Sequence, residues 1–226
     1  MDVATGPLFR QQLMEYAQDL ARAYREIRTS QDDFLRLLVT LVELKAPAAR
    51  GHARRVAFWA LRLNEALTRP LDPAPLKAAA LAHDVGKLGL PDRLITSWVG
   101  EGEEDRRLVE AHPQLGASLL EHVNAFAGWI PWVRHHHERW DGRGYPEGLA
   151  GEAIPLGARI IAVANGFDYR MHGYGRDPAH TLAGTVTWME AEAGSAFDPS
   201  LVEAFVTMPL EALWANRLWL EEEERA

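Results

Sequence analysis

Apolar residues recur at intervals of three and four along nearly the whole chain, and no long stretch alternates apolar with polar. That period lines up one face of a helix and cannot lay an apolar face on a strand. No turn dipeptide sits between alternating runs as a β-hairpin would require. The fold class expected is therefore all-α, a helical bundle. A chain of 226 residues supports one ordinary domain with a short helical extension, and two large independent domains are not expected. Its 47% hydrophobic and 25% charged content is that of a packed globular protein, which sets global disorder aside.

In the first forty residues, Leu13, Tyr16, Leu20, Ala23 and Ile27, then Phe34, Leu37, Leu38 and Leu41, mark apolar stripes. They fit two helices or one long interrupted helix, with the break expected at Arg28–Gln31. This stripe either packs on the domain that follows, the reading favoured, or forms the seam of a homodimer. Proline punctuates the later helices: Asp72-Pro73, His112-Pro113, Ile154-Pro155 and Asp198-Pro199 each put it where a first turn tolerates the missing N–H, and the two aspartates are expected N-caps. From Trp140 to Leu156 the run WDGRGYPEGLAGEAIPL is too rich in glycine and proline for a helix and is expected to be an ordered loop. The acidic run Glu221–Glu224 is expected to be a solvated helix end.

A net charge of −8 argues against DNA, whose binders present a basic stripe to the phosphates. A small anionic substrate would need metals and local arginines, and Arg134, Arg139, Arg143 and Arg159 crowd near a histidine-rich segment. No apolar run approaches the roughly 20 residues of a membrane span, and the N-terminus lacks a signal-peptide pattern, so a cytoplasmic location is expected. With no cysteine, any metal must be held by nitrogen and oxygen.

The chemistry is concentrated around His83 and Asp84, which end the apolar run LKAAALAHD. Burying two ionisable groups side by side is costly unless they are paired or bound to a cation. Further histidines gather in the chain: His52, His112, and the run His135-His136-His137 followed by Glu138. Neighbours on a helix do not share a face, so His83 and Asp84 cannot chelate one ion as an i, i+4 pair would. The two oxygens of Asp84 can each serve a different metal. Imidazole and carboxylate donors suit two divalent transition ions, with iron, manganese, nickel and zinc all open.

The strings HDVGKLGLPDRLI (residues 83–95), HPQLG (112–116) and HHERWDGRGYPEGLAGEAIPLGARIIAVA (136–164) follow, in order and spacing, the pattern of the HD-GYP family of metal-dependent phosphohydrolases. The preceding VELKAPAARGHARRVAFWA is similar to the family's first metal-histidine segment, and SAFDPSLVEAF to its closing helix. The resemblance covers roughly residues 30–206, leaving 1–29 as a helical extension and 207–226 as a C-terminal helix. It implies an HD-domain bundle that hydrolyses cyclic di-GMP, to pGpG or GMP, at a binuclear metal site. His52, His83 and Asp84 would hold one metal. Asp84 as bridge, with His112, His136 and His137, would hold the other. Lys87 matches the family's phosphate-contacting lysine, making Asp84 and Lys87 the expected catalytic pair; otherwise Lys87 caps a helix end. Gly144, Tyr145 and Pro146 correspond to the loop that names the family, read either as a structural turn or as a rim that meets signalling partners.

Three departures bear on activity. Where the family places a ligand aspartate, this chain has Asn165, whose amide oxygen can coordinate but carries no charge. Asp168, three residues on, is a candidate compensating ligand. The family's Arg-Pro-Tyr region reads YRMHGYGRDPAH here, leaving Arg170 and Arg176 as candidate substrate contacts. The glutamate that holds a third metal in some members is Ala48, and Glu43 is too far along the helix to replace it. The expected function is a binuclear-metal phosphodiesterase of cyclic di-GMP. The alternatives are a catalytically impaired nucleotide- or partner-binding module, and a hydrolase of another phosphoester.

Overall fold

A computed structural model describes residues 5–97, 102–173 and 180–215. Their order is α1 (Thr5–Lys45), α2 (His52–Ala66), α3 (Pro73–Ala82), α4 (Asp92–Ser97), α5 (Glu103–Glu110), α6 (His112–Leu120), α7 (Ile130–Arg134), α8 (Leu156–His172), α9 (Leu182–Ala191), α10 (Pro199–Val206) and α11 (Leu210–Ala215). Among the described residues there is no β-strand, only two isolated bridges, Asp141 with Ala150 and Ala193 with Phe197. The fold is all-α, as expected. No described helix is long and apolar enough to cross a membrane. Arg176 and residues 216–226, including Glu221–Glu224, lie outside the described residues.

The chain divides into two compact units, Met1–Leu37 and Leu38–Ala226. In the first, the break expected at Arg28–Gln31 is absent and α1 runs straight through it. Arg-Thr-Ser-Gln contains neither glycine nor proline, and its propensity cost of a few tenths of a kcal/mol per residue does not end a helix. Along this helix Leu13, Tyr16, Leu20 and Ile27 are 56–79% exposed.

In the second unit the core is built where α2, α8 and α10 meet. Trp59 stands edge-on to Phe167 at 4.7 Å, and Phe167 to Phe205 at 5.0 Å, with all three side chains fully buried. Aromatic pairs favour this T-shaped arrangement. The Asp72 and Asp198 carboxylates accept from the backbone N–H of Ala74 and Ser200, so both act as N-caps ahead of proline. Pro113 sits in the first turn of α6, whereas Pro155 is the residue just before α8.

One contact places the chemistry. The 3-10 turn Val85–Gly89 follows Asp84 and packs on α6 through Gly86 and Gly116. A Cβ on Gly86 would lie 1.9 Å from the His112 carbonyl oxygen and 2.5 Å from Gly116 N. Glycine at position 86 thus lets the turn carrying Asp84 and Lys87 approach the helix that begins at His112.

Candidate metal centre

Each histidine enters from the end of an element. His83 follows the last turn of α3, His112 opens α6, His52 opens α2, and His136 and His137 lie just past α7. At three of them the local backbone fixes the ring in the same way. Nδ1 of His83, His112 and His136 donates to the carbonyl three residues earlier, of Ala80, Val109 and Val133, each at 2.7 Å. A proton committed to Nδ1 leaves Nε2 with its lone pair, and ring orientation and tautomer are set together.

Those three Nε2 atoms and Asp84 Oδ1 are buried and make no hydrogen bond. Asp84 Oδ1 is 3.3 Å from His112 Nε2; Oδ2 is 3.5 Å from His83 Nε2 and 3.7 Å from His52 Nε2. Buried polar atoms are ordinarily satisfied. Two sets of donor atoms, each within 4.8 Å of one another, converge here: Asp84 with His112, His136 and His137, and Asp84 with His52 and His83. Convergent nitrogen and oxygen donors without hydrogen-bond partners are what a divalent transition ion requires.

The protonation states agree. Burial pushes His83 down to about 4, and holds His136 and His137 well below the usual histidine range, with the neighbouring imidazoles adding to the effect. Burial alone would raise Asp84, but the positive charge of Lys87 and the nearby His83 and His112 keep it well below the usual carboxylate range. Lys87, itself lowered by burial, donates to Asp84 Oδ2 at 2.5 Å. Neutral imidazoles around an ionised carboxylate are the forms that bind metal.

Asp168 does not join either set. It is fully buried behind His52, accepting from His52 Nδ1 at 2.8 Å, Arg55 Nε at 2.9 Å and His172 Nδ1 at 3.1 Å. The compensating-ligand expectation is therefore corrected: this carboxylate orients His52 from the far side. Those donors hold its pKa well below the usual range against the opposing effect of burial. Asn165, one helical turn earlier, does face the open side. With His52, Lys87, His112, His137, Tyr145 and Tyr169 it lines a cavity of about 170 Å³.

Arg170 is absent from that wall. Its guanidinium lies 4.7 Å over the Trp188 ring instead. Three of the four arginines near the histidine run are engaged elsewhere: Arg134 with Glu121, Arg139 with Asp141, and Arg159 with Asp198. Lys87 is the cationic side chain in the cavity wall among the described residues.

The loop Gly144-Tyr145-Pro146 is both a tight turn and a rim. A Cβ at Gly144 would meet Arg139 N at 2.3 Å and His137 O at 2.5 Å, while the Tyr145 ring stacks on His137 with centroids 4.9 Å apart. Glu138, whose role the sequence reading missed, anchors this loop. Its buried carboxylate accepts from Glu147 N at 2.8 Å and Leu149 N at 3.0 Å. The signal was present: a loop dense in backbone donors next to a buried carboxylate needs acceptors. Arg55, one turn beyond His52, was missed for want of any sequence sign that Asp168 would face it.

Comparison with known proteins agrees with this geometry. A family model described as HD domain matches residues 36–201. A cyclic di-GMP phosphodiesterase of Pseudomonas aeruginosa is 34% identical over 90% of this chain and 50% of its own length. The cyclic di-GMP phosphodiesterase response regulator RpfG of Xanthomonas campestris is 31% identical over 87% of this chain and 53% of its own. The chain thus spans about half the length of these curated relatives. Among solved structures, a cyclic GMP-AMP-specific phosphodiesterase of Vibrio cholerae shares the fold with a TM-score of 0.57 at 21% identity, over 84% of this chain and 51% of that one. On the family match and the histidine-aspartate geometry together, the chain belongs to the HD domain family and carries the HD-GYP sequence pattern.

Proposed function

We propose that this chain is a metal-dependent phosphodiesterase that cleaves cyclic di-GMP at a binuclear centre. The observation that carries the reading is the pair of donor sets sharing Asp84, with three imidazole Nε2 atoms left without hydrogen bonds beside a phosphate-sized cavity. His52, His83 and Asp84 would hold one ion, and Asp84, His112, His136 and His137 the other. When bound, such ions supply Lewis acidity toward a phosphoryl oxygen and toward water. Manganese, iron, nickel and zinc all suit the donors.

The chain's own groups do the rest. Lys87, pinned to Asp84 Oδ2, keeps a positive charge at the cavity wall where negative charge grows on the phosphoryl oxygens. Burial raises the Tyr145 pKa, so its hydroxyl stays protonated and can donate toward a bound phosphodiester. A cavity of about 170 Å³ is smaller than a typical pocket of roughly 300–1,000 Å³ for a drug-sized ligand. It has room for only part of a cyclic dinucleotide. The activities of the Xanthomonas, Pseudomonas and Vibrio relatives, on cyclic di-GMP or cyclic GMP-AMP, make a cyclic dinucleotide the substrate class to test first.

Asn165 in the cavity wall supplies no charge to the His52, His83 and Asp84 set, so that ion is the more weakly held. The test follows product formation by metal-analysed protein on cyclic di-GMP, 3'3'-cyclic GMP-AMP, mononucleotides and simple phosphodiesters, for wild type and Asn165→Asp. Cleavage of cyclic di-GMP by wild type supports the reading. Silence from wild type with activity in Asn165→Asp would instead identify a nucleotide-binding module, and turnover confined to simple esters a different hydrolase.

A further inference from the structure

The first unit carries a feature independent of the site's chemistry. Along α1 the positions Phe9, Leu13, Tyr16, Leu20, Ala23, Ile27, Ser30, Phe34 and Leu37 follow one another at alternating steps of four and three residues. In heptad terms Leu13, Leu20, Ile27 and Phe34 occupy a, and Phe9, Tyr16, Ala23, Ser30 and Leu37 occupy d. A period of 3.5 held over four heptads keeps one seam on one side of a helix only if that helix supercoils around a partner. A helix lying flat on a globular core needs no such strictness and follows 3.6.

The seam is exposed: Phe9 66%, Leu13 60%, Tyr16 79%, Leu20 71%, Ile27 56%, Phe34 40% and Leu37 54%. Large apolar side chains carry roughly 150–250 Å² each, so these offer on the order of 800 Å² per chain, which is what one partner of a standard interface buries. An apolar face of that size is uncommon on a monomer.

We propose that α1 pairs with α1 of a second copy of this chain as a parallel, in-register, two-stranded coiled coil over residues 9–37. Charge decides the orientation. The g positions flanking the seam include Asp19, Glu26 and Asp33, while the e positions are Arg10, Ala17, Tyr24 and Gln31. An antiparallel pair sets g against g and faces this acidic column with its own copy, although Arg22, 3.6 Å from Asp19, offsets part of it. A parallel pair sets g against e, bringing Asp19 to Tyr24 and Glu26 to Gln31 of the second copy, with no like charges opposed. Small side chains at Ala23 and Ser30 let the backbones approach in mid-seam. Both chains then leave the coil at the same end.

Two measurements on the full chain test this. Analytical ultracentrifugation at micromolar concentration is expected to give the mass of two chains for wild type and of one chain for Leu20→Glu/Ile27→Glu. Thermal unfolding of the remaining helices in that variant should be unchanged, which separates a lost seam from a lost fold. Because the chain has no cysteine, Ser30→Cys alone reports orientation. In a parallel in-register pair it faces its own copy within disulfide reach and links under mild oxidation, whereas an antiparallel pair centred on Ala23 places it opposite Tyr16. A monomeric wild type, a dimer that survives the double substitution, or Ser30→Cys dimers that stay unlinked would each overturn the proposal.

Discussion

Replacing Gly86 by alanine tests whether the metal centre depends on backbone approach between the Val85–Gly89 turn and α6. An added Cβ would start 1.9 Å from the His112 carbonyl oxygen, against the 3.4 Å of an ordinary contact, so the two segments must part by about 1.5 Å. Backbone on both sides leaves no flexible side chain to give way. Forced overpacking of this kind costs about 3 kcal/mol, the upper end of the usual range, and the alanine's stiffer unfolded chain returns less than about 1 kcal/mol of it. The same displacement moves Asp84 away from His112, now 3.3 Å apart, and a shift of that size at reacting groups lowers turnover roughly 100-fold. Gly89→Ala is the control, because its Cβ would meet only Leu115 Cδ1, at 3.3 Å, and a leucine can turn aside. Urea unfolding and metal content would be compared across wild type and both variants. If Gly86→Ala matches Gly89→Ala in stability and still binds metal, close approach at residue 86 does not organise the site.

Three further outcomes follow from the same geometry. Asp168→Asn should cost about 3 kcal/mol, because it removes the carboxylate opposite buried Arg55; it should also weaken metal binding by freeing the His52 ring, and calorimetric metal titration showing wild-type affinity would refute that orienting role. Glu138→Gln keeps one acceptor but turns an amide N–H toward one of the two loop donors, Glu147 N and Leu149 N, costing about 1–2 kcal/mol; faster amide exchange over 144–149 is expected, and unchanged exchange would count against the anchor. Chelator-treated protein should lose stability as pH falls from about 6.5 to about 4, because unfolded His83 takes a proton near its ordinary value and the folded residue only at about 4. The unfolded state binds more protons across that window, so at up to about 1.4 kcal/mol per unit His83 contributes at most about 3 kcal/mol; His136 and His137 act with the same sign. Denaturant melts showing a flat profile across the window would contradict this.

How much was legible in the sequence differs by element. Helical periodicity and aspartate-proline starts gave the all-α class and the caps at Asp72 and Asp198, because both signals are local. The same locality explains the error in α1. Polar residues at 28–31 resemble a break, yet nothing in them stops a helix. At the site, the clustering of histidines around His83 and Asp84 was visible in the sequence, the resemblance to the HD-GYP pattern implied the set His52, His83, Asp84, His112, His136 and His137, and the fold brings their donor atoms together. Asp168 could not be placed the same way. One helical face carries both Asn165 and Asp168, and only the packing of α8 on α2 decides that Asn165 meets the cavity while Asp168 meets the back of His52. Arg170 illustrates the same limit, since its stacking partner Trp188 comes from α9.

The most direct test of the central claim adds manganese or ferrous iron back to chelator-treated protein while cyclic di-GMP cleavage is followed, in wild type and in Asp84→Ala. The expected result is no product before metal, product from wild type after it, and none from Asp84→Ala at any metal concentration. Cleavage by metal-free wild type, or full activity in Asp84→Ala, would contradict a phosphodiesterase built on metals that share Asp84.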